Sequence, residues 1–443
     1  MKIYGIGGFN EVGKNMTAVD LGEDVILFDC GLFLPPIVEL EETERVYTEK
    51  KLRAIKAVPD DTFLDKLNLR NKVRAIIPSH AHLDHIGALP FLANRYNAEI
   101  VGTPFTIEVL KTLLKDENIF LRNKLKTITP NSFYYIQGKN RKYRVDFINI
   151  THSTLQCSLL ALHTPHGVVL YANDFKLDDN PVLGRKPNYE MMKDIAQEGV
   201  KVLIIDSLYS GDERKTASEK VARALLEEVL LTTNNENTGL VVTTFSSHIA
   251  RLKSITDFGK KLNREIVFVG RSLAKYVNAA SKIDLCPFRK DVEIASYRRQ
   301  VEKKLKKLDK NRSQYMLVCT GHQGEPGSVL DRISKSQLPF RLQKKDHVVF
   351  SSSVIPAPSN IENRERLDNR IKKRGVRIFN NVHVSGHPGR EDLRDFVDLI
   401  NPENIIPAHG GHDKTAPMIE LGEELGYKKK NLHLINDKQK LKF

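Results

Sequence analysis

An apolar run, Val73-Arg74-Ala75-Ile76-Ile77-Pro78, leads through Ser79 into His80-Ala81-His82-Leu83-Asp84-His85. The run reads as a buried strand stopped by a proline, and Gly87 to Asn94 reads as the start of a helix. The histidines and the aspartate are therefore expected in a strand-to-helix loop, where functional groups are commonly mounted on a rigid frame. Imidazole suits zinc and other borderline divalent ions, and a carboxylate adds charge that can hold a second ion. Histidines can also be plain core or surface residues, but that reading does not account for such crowding. The stretch is read as a metal site.

At 443 residues the chain is long enough for two to three domains, and its 40% hydrophobic content is ample for packed cores. No run approaches the length of a membrane-spanning helix. Met1-Lys2-Ile3-Tyr4-Gly5 enters a strand at once without a secretory leader pattern, so a cytoplasmic location is expected. Cys30, Cys157, Cys286 and Cys319 are widely spaced and fit buried thiols better than disulfides or a thiolate zinc site. The net charge of +14 favours an anionic partner. Its excess is concentrated in Leu121 to Arg144, which carries Phe133, Tyr134, Tyr135 and Tyr143 among its basic residues, and in Arg289 to Arg312. Such stretches can follow phosphates and stack on bases, or can simply be solvated faces.

Short strands separated by turns fill the first part of the chain, ending with Val145-Asn149, Ser158-His163, Gly167-Ala172 and Lys201-Asp206. Glu39 to Lys56 reads as a charged helical insertion or lid. From Ser207 the texture changes to alternating strands and helices, as in a mostly parallel sheet covered on both faces. After Arg377 short strands and histidine-rich loops return. Nothing resembles a linker, so the βα region looks inserted into the first domain.

A binuclear site needs further ligands. His152, Asp174 and His409 each follow a predicted strand. Singly, each is more readily a structural residue. In order, they resemble the ligand series of the metallo-β-lactamase superfamily. That resemblance implies one metal on His80, His82 and His152, another on Asp84, His85 and His409, a bridging Asp174, and Asp29 as the brace of the ligand loop. Gly7 to Met16, Thr243-Thr244-Phe245-Ser246-Ser247, Gly270-Arg271-Ser272-Leu273, Thr320 to Pro326, Phe350 to Pro356 and His383-Val384-Ser385-Gly386-His387 narrow it further. Together they resemble the RNase J group of β-CASP nucleases, across essentially the whole chain. The implied fold is α/β: a metallo-β-lactamase αββα sandwich with an inserted β-CASP domain of mostly parallel βα units. Residues 1–206 and 377–443 would form the first domain and 207–376 the insertion. The end of the chain soon after His409 resembles the shorter archaeal-type members and leaves a homodimer open.

The resemblance makes Asp206, His387 and His409 the β-CASP motifs A, B and C. It implies a 5′→3′ exoribonuclease that prefers RNA with a 5′-monophosphate and acts in RNA decay and maturation. Two divalent ions, Zn2+ or alternatively Mn2+, would activate water for phosphodiester hydrolysis and leave 5′-phosphate mononucleotides. Asp84, Asp206 and His387 are the expected catalytic residues, with His387 as general acid. Phe245 is expected to stack on a base beside Ser246 and His248. Ser351, Ser352, Ser353, His383 and Ser385 are expected to hold the terminal phosphate. The competing readings are an endoribonuclease with the same metals, a non-catalytic RNA-binding scaffold, and a small-molecule metallohydrolase. The intact ligand series disfavours the scaffold, and the insertion and basic stretches disfavour the last.

Overall fold

The computed structural model describes residues 1–40, 47–355 and 357–443. Part of Glu39 to Lys56 and the last residue of Phe350 to Pro356 thus lie outside the described residues. Two sheets form a sandwich. The first runs, edge to edge, Lys440–Lys442, Lys2–Gly7, Met16–Asp20, Val25–Phe28, Val73–Ile77, Glu99–Gly102 and Leu125–Thr127. The second runs Ile405–Ala408, Val200–Asp206, Gly167–Ala172, Ser158–Thr164, Lys142–Asn149 and Ser132–Gln137.

Strand side chains alternate between faces, and here both faces are apolar. Ile3, Val19, Ile26, Phe28 and Ile77 meet Phe147, Leu160, Val169, Tyr171 and Ile204 between the sheets. Tyr4, Ala18, Leu27 and Ile76 face outward, beneath apolar residues of Pro104–Asp116 and other helices. The outer face of the second sheet is covered by Tyr189–Glu198, Arg390–Ile400 and His412–Glu424.

A third sheet, wholly parallel, runs Val292–Ala295, Glu265–Val269, Tyr315–Cys319, Leu240–Thr243, His347–Phe350 and Arg377–Phe379. It is inserted in the chain between Val200–Asp206 and Ile405–Ala408, which pair directly with each other in the second sheet. Arg377–Phe379 therefore lies in the inserted sheet, although the sequence reading put it in the return segment. The basic helix Arg298–Lys310 buries Val301, Leu305 and Leu308, a helical stripe, and leaves most of its charges in water. Helix Arg271–Lys282 docks the insertion on the sandwich through Tyr276 against Phe105 and Lys275 against Asp116 (2.7 Å).

Glu49–Ala54 is a helix within the segment read as a lid. It is pinned down: Leu52 is buried, and Arg53 pairs with the buried Asp61 at 2.6 Å. Among the described residues no helix is long and apolar enough to cross a membrane.

Candidate metal centre

The ligand candidates come from the ends of strands at one edge of the sandwich. His80 follows Val73–Ile77, Asp174 follows Gly167–Ala172, and His409 follows Ile405–Ala408. His152 lies between Lys142–Asn149 and Ser158–Thr164. Asp29, Asp174 and His409 have φ of 58°, 61° and 65°, the left-handed region that non-glycine residues rarely adopt. Backbone held this way is common where a site over-determines its geometry.

Asp84 and His85 are not in open loop. They belong to a one-turn helix, Leu83–Ile86, which begins before the helix predicted from Gly87. The segment Cys30–Leu32 grips that turn, with Cys30 N donating to His85 O (2.7 Å) and Leu32 N to Leu83 O (2.9 Å). Gly31 permits the approach, because a Cβ there would lie 1.6 Å from Asp84 O.

The potential ligand atoms of His80, His82, His152 and Asp174 all lie within 4.8 Å of one another, as do those of Asp84, His85, Asp174 and His409. Asp174 belongs to both groups. Three of the rings have their outer nitrogen held by the protein. His80 Nδ1 meets Ser79 Oγ (3.0 Å), His152 Nδ1 donates to Gly386 O (2.7 Å), and His85 Nδ1 donates to Asp29 Oδ2 (2.7 Å). Fixing the outer nitrogen of a ligand imidazole sets its tautomer and orientation. Among the described residues His80 Nε2 and Asp174 Oδ1 are buried without a hydrogen-bond partner, and His152 Nε2 faces His82 Nδ1 at 3.1 Å. Buried polar atoms without partners are costly, and converging lone pairs of this kind fit a divalent cation.

Electrostatics agree. Burial, followed by the neighbouring imidazoles, holds His80 and His152 well below the usual histidine range, and burial brings His82 down to about 4. Neutral imidazole is the form that binds metal. Burial would raise Asp174, but His409, His85 and His387 outweigh it and hold the carboxyl well below its ordinary value. Burial would lower His85, yet Asp174, Asp29 and Asp84 raise it strongly, which reports a negative potential suited to a cation.

Asp206 and His387 adjoin the centre. Asp206 Oδ2 lies 2.7 Å from His387 Nδ1, and the His387 ring stacks on that of His409 with centroids 5.3 Å apart. Burial lowers His387, but the charges of Asp206 and Asp174 push it up to about 9.

The residues expected at substrate divide into two groups. Phe245 lies against the rings of His322 (4.4 Å) and His383 (5.9 Å), and Ser246 and Ser353 are not buried. Ser352 is buried with a hydroxyl that has no hydrogen-bond partner among the described residues. Ser351, by contrast, is fully buried with its hydroxyl committed to Val382 O (2.8 Å) and Arg251 (2.9 Å). Its side chain serves packing between segments, contrary to the expected phosphate contact. His248 likewise caps helix Ile249–Lys261 through Nδ1 and faces Glu219 through Nε2 (3.2 Å), so both nitrogens are spent inside the protein. Ser385 shapes a turn by accepting from His387 N (3.0 Å).

Several supporting residues escape sequence reading. Asn15 bonds Asp84 O (3.1 Å) and lies 3.1 Å from His85 Nε2, while its Oδ1 meets Asn173 (3.1 Å) and His409 (3.2 Å). Its place in the Gly7 to Met16 stretch was the available signal, because Gly8 O also accepts from His409 N (2.8 Å). Tyr171 donates to Asp29 (2.7 Å), and Ser247 Oγ lies 3.0 Å from His82 Nε2, joining the insertion to the ligand loop. Ser247 lies in the Thr243 to Ser247 stretch that carries the resemblance, whereas Tyr171 had no signal, since a tyrosine in a strand is ordinary.

Family models match three consecutive parts: the metallo-beta-lactamase superfamily over residues 10–186, the Ribonuclease J beta-CASP domain over 237–371, and the Zn-dependent metallo-hydrolase RNA specificity domain over 371–433. The chain is 41% identical to Ribonuclease J of Methanocaldococcus jannaschii, with 100% of this chain and 99% of the relative covered. It is also 41% identical to Ribonuclease J of Pyrococcus abyssi, over 96% and 93% of the two chains. Against Ribonuclease J of Synechocystis sp. identity is 28%, and this chain spans 64% of that relative. A solved protein of unknown function from Enterococcus faecalis shares the fold, with a TM-score of 0.64, 16% identity and 99% of both chains covered. The order of the three domains and the full-length identity together place this chain in the Ribonuclease J family, with a metallo-β-lactamase fold carrying a β-CASP insertion.

Proposed function

We propose that the protein is a metal-dependent ribonuclease that degrades RNA from its 5′ end and prefers a 5′-monophosphate. The observation that carries the nuclease reading is the pair of ligand groups sharing Asp174, with Asp206 and His387 beside them. The family supports RNA as substrate. His80, His82 and His152 would hold one ion, and Asp84, His85 and His409 the other, with Asp174 between. Zinc is the favoured metal because the donors are mainly imidazole, with manganese as the alternative. Divalent ions bound there supply Lewis acidity toward water and toward the phosphodiester oxygens.

The chain's own groups do the rest. Asp206 fixes the outer nitrogen of His387, so the opposite ring nitrogen is presented to substrate and can deliver a proton to the departing 3′ oxygen. Asn15 and Asp29 hold the ligands in place. Preference for a terminal phosphate is supported by the buried hydroxyl of Ser352, which has no hydrogen-bond partner among the described residues and follows Ser351, itself bonded to Val382 next to His383. We place the division between sandwich and insertion at residue 207, and the return just after Arg377–Phe379, because that strand belongs to the third sheet.

Body-labelled RNA bearing a 5′-monophosphate, 5′-triphosphate or 5′-hydroxyl, incubated with protein and zinc or manganese, tests the reading. Mononucleotides released preferentially from the monophosphate RNA are expected. Internal fragments made irrespective of the 5′ group would instead establish an endonuclease with the same metal centre.

A further inference from the structure

All strands of the inserted sheet are parallel, so their C-terminal ends lie along one edge. That edge begins at the metal centre and can be followed contact by contact. Ser247, after Leu240–Thr243, touches the ligand His82 at 3.0 Å. Phe245 in the same turn packs on His322, which follows Tyr315–Cys319, with ring centroids 4.4 Å apart. Gly270, at the end of Glu265–Val269, lies so close to Thr320 that a Cβ would sit 2.7 Å from its methyl group. Gly270 N in turn donates to Ala295 O at 3.1 Å, at the end of the edge strand Val292–Ala295. Two residues further on stands Tyr297, a large aromatic side chain 72% exposed.

We propose that Tyr297, with Arg271, Arg298 and Arg299, forms a distal stacking subsite for the body of a single-stranded RNA whose end occupies the metal centre. The inference rests on the ribonuclease reading and adds a second point of attachment to it. Three arginines project from this end of the row, and all three are exposed. Arg298 has an acidic neighbour, Glu302 at 3.1 Å, but both side chains are open to water and such a pair is weak. Glu325, after Tyr315–Cys319, faces His322 at 3.6 Å. An exposed tyrosine among arginines fits single-stranded nucleic acid, because every base offers a face to stack and every link a phosphate. From Phe245 to Tyr297 the row crosses three strand spacings, or about 14 Å. That distance corresponds to about four nucleotides at a stacked rise of about 3.4 Å.

The subsite therefore makes affinity depend on RNA length. Binding of fluorescently labelled 5′-monophosphate RNAs, a trinucleotide and a strand of about 15 nucleotides, is measured by anisotropy alongside cleavage. Tyr297→Ala should weaken binding of the longer RNA by about fivefold or more, with Tyr297→Phe restoring it, since stacking needs the ring and not the hydroxyl. The loss should be confined to the longer RNA. Unchanged affinity of Tyr297→Ala for the longer strand, or an equal loss on both lengths, overturns the proposal. So does a change in sedimentation without a change in RNA affinity, which would make Tyr297 a contact between copies of the chain. Tyr297-dependent binding by a wild-type protein that cleaves neither RNA would uphold the subsite while refuting the ribonuclease reading.

Discussion

Replacing Asp29 by asparagine changes one atom at the centre of the network that orients the ligand loop. The Asp29 carboxylate is fully buried and accepts from four donors. Oδ1 receives Ser79 N (2.7 Å) and Ser79 Oγ (3.0 Å), while Oδ2 receives His85 Nδ1 (2.7 Å) and Tyr171 OH (2.7 Å). An asparagine that keeps its oxygen toward Ser79 turns an amide N–H toward His85 Nδ1. His85 must then accept there and carry its proton on Nε2, the nitrogen that faces Asp174 at 3.3 Å and Asp84 at 3.5 Å. A protonated Nε2 cannot bind metal. The flipped amide rescues His85 but sets its N–H groups against Ser79 N, leaving a buried donor unmet at about 1–3 kcal/mol. Metal affinity should fall by that same margin, about fivefold to a hundredfold, in the range for outer ligand partners. Competition against a fluorescent chelator, with far-ultraviolet circular dichroism to verify the fold, reads the effect. A folded Asp29→Asn protein that binds zinc as tightly as the wild type would refute the reasoning.

Other changes probe other parts of the structure. Asp84→Ala should abolish RNA cleavage while leaving RNA binding largely intact, and unchanged turnover would remove Asp84 from the centre. Gly31→Ala should cost more stability than any ordinary surface substitution, because the new Cβ would overlap Asp84 O at 1.6 Å; an unaltered melting temperature would show that the Leu83–Ile86 turn moves freely. Glu219 is held well below the usual carboxylate range, since His248 and Arg251 outweigh the effect of burial. A depressed folded-state pKa gives stability that is present above the unfolded value of 4.5 and lost as pH falls through the folded one. Glu219→Gln should therefore flatten the acid limb of the urea midpoint against pH. It should also cost about 3 kcal/mol at neutral pH by leaving the buried Arg251 without a counter-charge, and identical acid limbs would exclude this account.

What the linear sequence determined about this protein is what local chemistry can carry. The spacing in His80 to His85 points to a metal site, and the change to βα texture after Ser207, reached without a linker, reads as an insertion. Singly, His152, Asp174 and His409 are ordinary residues after strands; they could be proposed because their order resembles the ligand series of the metallo-β-lactamase superfamily. Three things were decided only by the tertiary structure. Asp84 and His85 ride on a helical turn because Gly31 lets another segment hydrogen-bond to it, a fact of steric approach between distant residues. Ser351 and His248 look like substrate contacts in sequence, yet their polar atoms are taken up by Arg251, Val382 and Glu219 once the segments pack. Hydrogen-bond partners of that kind are settled by which groups lose water together on folding, and no pattern of residue types along one strand encodes them. Conversely, Asn15 and Tyr171 gain their importance only when strand ends from both sheets meet, where the Asn15 amide bonds Asp84 O and the Tyr171 hydroxyl bonds Asp29, far away in the chain.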